Sequence, residues 1–279
     1  NIKIMYLIYM STIKNTSASG TELEEVNIDE FESIDYKTFP NSFFLICVAS
    51  RRSGKSTSCN YLLQQFQKDK KRRFDTIILI SLTDSGFGGI PKGYRYDSLT
   101  ALEQIMGKQK SIKEHNDEVM KKGDRIGSKI CVIIDDMASG TDQDSLRNSK
   151  TLEVLAMNGR HVVRGHEDIM SLSIMVLSQS LTKLSRPIRL NSDIIMFNAL
   201  PSLTEQQLVL SECFFLLDSS RKGVSHARSL YHKLVSSKDY RFIIVENYKS
   251  NKRTHTDYIK YLDAKILKDF EFFSPYEEV

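Results

Sequence analysis

Residues 49 to 57 read Ala-Ser-Arg-Arg-Ser-Gly-Lys-Ser-Thr. Glycine, lysine and hydroxyl side chains in that order suit the oxygens of a polyphosphate. The backbone N–H groups of such a turn form an anion nest, and the positive end of a following helix adds to it. On this reading Ser50, Arg51, Arg52, Ser53, Gly54, Lys55, Ser56 and Thr57 contact the phosphates of ATP. Lys55 is expected to reach the β- and γ-phosphates, and Ser56 to hold Mg2+. The pattern GxxxxGK followed by Ser or Thr is met except at its first place. There Ala49 replaces glycine, and its Cβ is expected to narrow the turn geometry. A chance Gly-Lys-Ser is the competing explanation, and a strand before the loop with a helix after it argues against that.

Further residues would complete a hydrolytic site. Asp135 and Asp136 close the apolar run from Lys129 to Ile134. An acid at such a strand end supports Mg2+, the role expected of Asp135. A carboxylate one position on can polarise a water, the role expected of Asp136. Two solvent acids in a turn would compete with this reading if the phosphate loop were absent. Gln179 follows the run Ser173 to Leu177. A glutamine there can hydrogen-bond both the water and the γ-phosphate, though a polar residue merely opening a loop fits the spacing equally well. Charge that builds on the γ-phosphate calls for a guanidinium, often from a neighbouring subunit. Arg160, Arg164, Arg186 and Arg189 are the candidates, and any one of them is more often a surface residue. His161 and His166 have no metal spacing and read as orienting or structural.

These residues need elements to hold them. Buried-strand runs are expected at Phe43 to Ala49, Asp75 to Ser81, Lys129 to Ile134, Ser173 to Leu177, Asp193 to Phe197 and Arg241 to Val245. Helical stretches alternate with them: Thr57 to Lys68, much of Leu99 to Lys122, a segment opening at Ser202, Val224 to Val235, and a C-terminal helix. Ser202 and Glu205 have the spacing of a capping box. Strands apolar on both faces, separated by helices, predict a mostly parallel sheet covered on both sides. Ligands on such sheets bind beyond the carboxyl ends of the strands. The expected organisation is a flexible acidic arm over residues 1–40, an ATPase domain over 41–250 and a helical extension over 251–279.

Length and composition are compatible with this. The chain has 279 residues, 41% hydrophobic and 27% charged, with net charge +4. That is ordinary globular composition, and +4 by itself is poor evidence for nucleic acid. Basic runs at Lys68 to Arg73, Lys108 to Lys122 and Lys249 to Arg253 read first as solvated faces. The four cysteines, Cys47, Cys59, Cys131 and Cys213, have neither CxxC spacing nor nearby histidine pairs, which predicts a reducing compartment without disulfides or zinc. The apolar start, Ile2 to Tyr9, is too short for a membrane span and lacks a cleavage-site pattern, so neither secretion nor stable membrane insertion is expected. Met10 is a candidate initiator.

Lys55, Asp135-Asp136, Asn158-Gly159-Arg160-His161, a strand ending in Gln179, Arg186-Pro-Ile-Arg189-Leu-Asn191 and the strand Asp193 to Phe197 follow one another in a distinctive order. Over about residues 40 to 250 this order resembles the genome-packaging ATPases of large double-stranded DNA viruses, the poxvirus type included, within the FtsK–HerA group of P-loop motors. The resemblance implies an α/β P-loop NTPase fold of the additional-strand catalytic-acid type, with the Asp75 to Ser81 strand inserted between the two motif-bearing strands. It also implies a ring of five or six subunits that drives double-stranded DNA into a preformed capsid, with a capsid or portal-vertex protein as partner. The expected location is the host cytoplasm or the virion. Gln179 then carries over as sensor and Arg160 becomes first choice for the trans-acting arginine, ahead of Arg186 and Arg189. The segment Val163 to Met170 is longer than the family order leads one to expect.

A plasmid-borne or conjugative translocase shares the same motifs. A small-molecule kinase would need an arginine-rich lid, for which no segment stands out. A non-hydrolysing scaffold is disfavoured by intact Lys55, Ser56, Asp135 and Asp136. A motor that must grip any sequence should contact phosphates, so Lys108 to Lys122 and Lys249 to Arg253 are the candidate DNA contacts.

Overall fold

The computed structural model describes residues 27–68, 73–83, 86–119, 121–135, 137, 145–200, 202–214, 221–249 and 254–265. Eight strands make one sheet: β1 (Phe44–Val48), β2 (Thr76–Ser81), β3 (Arg95–Tyr96), β4 (Ser128–Asp135), β5 (Met170–Ser178), β6 (Ile194–Phe197), β7 (Arg241–Glu246) and β8 (Ile259–Asp263). Their spatial order is β3-β2-β4-β5-β1-β6-β7-β8. The first six are parallel, and β7 and β8 add antiparallel at one edge.

Alternation along the central strands sorts their side chains between two cores. Phe44, Ile46 and Val48 of β1 join Val132 and Ile134 of β4 and Ile174 and Val176 of β5 on one face. Leu45 and Cys47, with Cys131, Ile133, Met175 and Leu177, face the other. Side chains that are apolar in both directions force helices onto both faces, because neither face can be left to water. Helix α1 (Lys55–Gln67) covers the second face with Leu62, Leu63 and Phe66. The first face is covered by α2 (Ala101–Glu118), α3 (Lys150–Asn158), α4 (Arg186–Asn191), α5 (Leu203–Val209) and α6 (Arg221–Ser236).

Three expectations are corrected. The strand between the two motif-bearing strands β1 and β4 is β5, and β2 lies outside β4. β5 runs for nine buried residues, longer than its apolar core Ser173 to Leu177 suggests, because β4 pairs along it from Met170 onward, Ser171 and Ser173 included. Past residue 250, residues 255–263 form a single helical turn, α7 (His255–Tyr258), and then β8 where a helical extension is expected, and residues 266–279 of that expected extension lie outside the described residues. Strand pairing with β7 decides the matter: Arg241 opposite Asp263 fixes its end by two contacts of 2.8 Å.

The N-terminal segment 27–40 is docked. Phe31 and Phe39 are buried, and Ser33 bridges Tyr261 of β8. Arg73 holds this segment from beneath. Its guanidinium donates to the carbonyls of Phe39 (3.0 Å) and Pro40 and lies 4.8 Å from the Phe66 ring centroid. This member of the 68–73 basic run is therefore a packed cation rather than part of a solvated face. Burial pushes its pKa down from the usual arginine value. All four cysteines are free and buried, and burial raises the Cys59 and Cys131 thiols, which act as small apolar groups.

Candidate active site

Three strand ends lie level. Val48 of β1 pairs with Ser178 of β5, and Leu177 of β5 pairs with Asp135 of β4. With neighbouring strands about 4.8 Å apart, Gln179 stands one strand from the phosphate loop and Asp135 two strands from it. The insertion of β5 is thus what places Gln179 between the loop and the acid. Asp135 is buried and Gln179 half-buried. Asp136 lies outside the described residues.

The loop from Ala49 to Gly54 is built by its backbone. Ala49 prolongs the ladder, its N–H donating to the Ser178 carbonyl at 3.2 Å, and its Cβ sits fully buried in the core beside α1. Ala49 does not have a positive φ; those fall on Arg52 (61°) and Gly54 (85°). The loop's left-handed positions are therefore 52 and 54, and position 49 does not require glycine for its φ. Gly54 caps α1, its carbonyl accepting from Ser58 N at 2.8 Å. Ser53 Oγ donates to the Ser50 carbonyl at 2.7 Å. Lys55 bends back over the loop, with Nζ 3.5 Å from the Ala49 carbonyl. Arg51, Arg52 and Thr57 are exposed on the same edge. The segment after β2 closes over the loop's exit. A Cβ on Gly86 would come 3.0 Å from Ser56 Cβ, and Asn60 Nδ2 donates to the Gly86 carbonyl.

Glu205 has a different task from the one its spacing suggests. Ser202 is the N-cap residue of α5, yet it makes no side-chain cap. Glu205, buried, turns instead to the loop that follows Gln179. It accepts from Leu181 N (2.7 Å), Thr182 N (3.3 Å), Thr182 Oγ1 (3.0 Å) and Ser180 Oγ. Its spacing gives no sign of this contact, because the helix-start pattern accounts for Glu205 locally.

The arginines separate clearly. Arg189 makes a two-pronged pair with Glu212, 2.9 Å on each side, and donates to the Leu184 carbonyl at 2.6 Å. Arg160 is exposed at the opposite edge of the sheet, in a small groove with Ser42, Asn191 and Asp193 at the amino ends of β1 and β6. Burial raises the Asp193 pKa, which its bond from Phe44 N (2.8 Å) and the nearby Arg160 charge partly offset. Arg160 thus stands apart from the phosphate loop of its own chain. Arg164 and Arg186 are exposed. His161 is exposed, while buried His166 pairs with Asp117 at 2.8 Å and is structural. The long Val163 to Met170 segment forms a turn at the amino end of β5, with φ 92° at Gly165, on the edge away from the loop. Lys108, Lys110, Lys121 and Lys122 are exposed, Lys113 pairs with Asp117, and Lys249 pairs with Glu246 at 2.6 Å. Residues 250–253 lie outside the described residues.

No protein-family profile and no curated protein matches the sequence. Solved structures do. The genome-packaging NTPase B204 of Sulfolobus turreted icosahedral virus 2, in complex with AMPPCP, is 15% identical, with a TM-score of 0.51 over 81% of this chain and 100% of that one. The same NTPase in complex with ATP-gammaS is 16% identical, with a TM-score of 0.51 over 82% of this chain and 100% of that one. The chain has the P-loop NTPase fold. Within that fold the level ends of β1, β5 and β4 carry the loop of residues 49–54, Gln179 and Asp135, and the resemblance drawn from the motifs is to the same kind of packaging NTPase that the structure resembles.

Proposed function

We propose that the chain is an ATP-driven motor that moves double-stranded DNA, with viral genome packaging as its task. The observation that carries the proposal is the alignment of Lys55 and Gly54, Gln179 and Asp135 on three adjacent strand ends. Its resemblance in motif order to packaging ATPases, and in fold to the viral packaging NTPase, supports the choice of task.

In this reading the loop N–H groups and Lys55 hold the β- and γ-phosphates and fix them at the helix N-terminus. Among the described residues no group of three His, Cys, Asp or Glu stands ready to hold a metal. Mg2+ is held by few protein oxygens and otherwise by water and the phosphates themselves. Ser56 would ligate it directly, with Asp135 behind, and when bound it would neutralise charge that develops on the phosphates. Asp136 orients and polarises the attacking water, and Gln179 bonds that water and the γ-phosphate. A guanidinium from the neighbouring subunit completes the site. Arg160, remote from its own loop and exposed, suits an action in trans better than Arg189, which is committed to Glu212.

Phosphate release by the purified chain, measured with and without duplex DNA, tests the proposal. ATP turnover stimulated by DNA of any sequence is expected. Lys55→Ala should lower turnover roughly 100-fold or more, the loss typical of removing a donor that stabilises transition-state charge. No release in either condition, with wild-type protein folded and its ring partner present, would sink the motor reading. Lys108→Ala with Lys110→Ala should reduce only the DNA-stimulated part; equal loss of basal and stimulated rates would remove those lysines as DNA contacts.

A further inference from the structure

The registers place one aromatic side chain beside the phosphate loop that the motifs do not mention. Val48 of β1 is level with Phe197 of β6, and Phe197 is level with Ile243 of β7. Because β7 runs antiparallel, its first residue, Arg241, projects beyond the end of β1, and Tyr240 stands one residue further on. The Tyr240 ring reaches the loop itself: its Cδ1 lies 3.5 Å from where a Cβ on Gly54 would be.

Three properties of Tyr240 are unusual together. Its backbone is left-handed, with φ 59°. A bulky side chain in that region is strained and is retained only where the surroundings hold it. The residue that follows it is anchored. The Arg241 guanidinium is fixed by Asp263 and by Ser237 Oγ (3.0 Å), and lies 4.0 Å from the Tyr261 ring centroid. Arg241 N donates back to the Lys238 carbonyl at 3.3 Å. The Tyr240 side chain itself is 64% exposed, so burial of the ring in the core is not what the strain secures.

Sheet order supplies the direction. Gln179 and Asp135, on the γ-phosphate side of the loop, belong to β5 and β4 on one flank of β1. A nucleotide whose terminal phosphate points to that flank must extend its nucleoside toward the other, where β6 and β7 lie. Among the described residues, Tyr240 is the exposed aromatic there.

We propose that Tyr240 is the platform on which the base of the bound nucleoside triphosphate stacks. The inference rests on the reading of the loop as a nucleotide site and adds the base contact to it. Stacking on an aromatic face tolerates any base, so this contact adds affinity without selecting adenine over guanine.

The test is equilibrium binding of ATP and of inorganic tripolyphosphate to the full chain, comparing wild type, Tyr240→Phe, Tyr240→Ala and Tyr240→Gly. Glycine suits the left-handed backbone and removes the ring, so it keeps the experiment decisive if the alanine variant folds poorly. Loss of the ring should weaken ATP binding about tenfold, the size of one base–aromatic stack, and leave tripolyphosphate binding unchanged. Tyr240→Phe should bind ATP as wild type does, and in the ringless variants GTP, measured alongside, should lose affinity as much as ATP. Unchanged ATP affinity in the glycine variant, or a parallel loss of ATP and tripolyphosphate, would overturn the platform while leaving the nucleotide site intact. Wild-type protein that binds neither ligand would overturn the nucleotide reading and this inference with it.

Discussion

Glu205 illustrates how much one carboxylate can organise. Four donors converge on it from the loop after β5, and three of them come from Leu181 and Thr182, two and three residues past Gln179. Leaving a buried donor without a partner costs about 1–3 kcal/mol. Glu205→Ala is therefore expected to lower stability by about 2 kcal/mol or more in urea unfolding. On the proposed site, in which the loop it holds lies on the γ-phosphate side, it should also lower ATP turnover more than ATP affinity. Equal loss of affinity and turnover would show that Glu205 supports the whole site rather than the Gln179 loop. The phosphate loop itself divides its demands by residue. Ala49 fills core space, Gly54 supplies the left-handed turn, and Arg52 adopts φ 61° despite its side chain.

At the scale of elements, β5 and β7 do the positioning. β5 enters between β1 and β4 and so converts two separated motifs into one row of strand ends. β7 reverses direction at the other flank, and its first residue is clamped to the end of β8. Arg241 holds the Asp263 carboxyl below its usual value of 3.8, with Lys238 at 3.0 Å assisting. A carboxyl with a lowered folded value contributes stability that is complete above its unfolded value and disappears as pH falls through the folded one. Asp263→Asn should therefore destabilise the protein near pH 7, and the wild-type and variant unfolding curves should converge as pH drops below about 3.8. A constant difference from pH 7 to pH 3 would show that the pair acts through packing and not through charge. Helix α1 is secured differently, by Leu62, Leu63 and Phe66, each buried Leu or Phe contributing about 1.5–3 kcal/mol.

For the whole molecule, a sheet covered on both faces leaves its carboxyl-end edge as the place for ligands, and the loop, Gln179 and Asp135 all lie there. Arg160 lies at the opposite edge. A site that needs a guanidinium from elsewhere calls for a second subunit, and a solution mass measurement with a non-hydrolysable ATP analogue addresses that directly. An assembly of five or six subunits is expected; a strict monomer at every concentration would remove any arginine acting in trans. Among the described residues no helix is long and apolar enough to cross a membrane.

The sequence by itself determined the local facts: the phosphate loop between a strand and a helix, the acid at the end of β4, the glutamine after β5, and the two-faced apolar strands. Each depends on a few neighbouring residues, on strand alternation or on a turn's N–H groups, and such patterns are written in consecutive positions. Tertiary structure alone decided the strand order, and with it that β5 rather than β2 separates β1 from β4. It also decided that Glu205 serves a loop instead of a cap, that Arg189 is committed to Glu212, that residues 259–263 pair as a strand, and that Tyr240 meets Gly54. These all depend on partners distant in the chain. Which partner a buried carboxylate or a strand edge takes is settled by the three-dimensional competition for it, to which local spacing is blind.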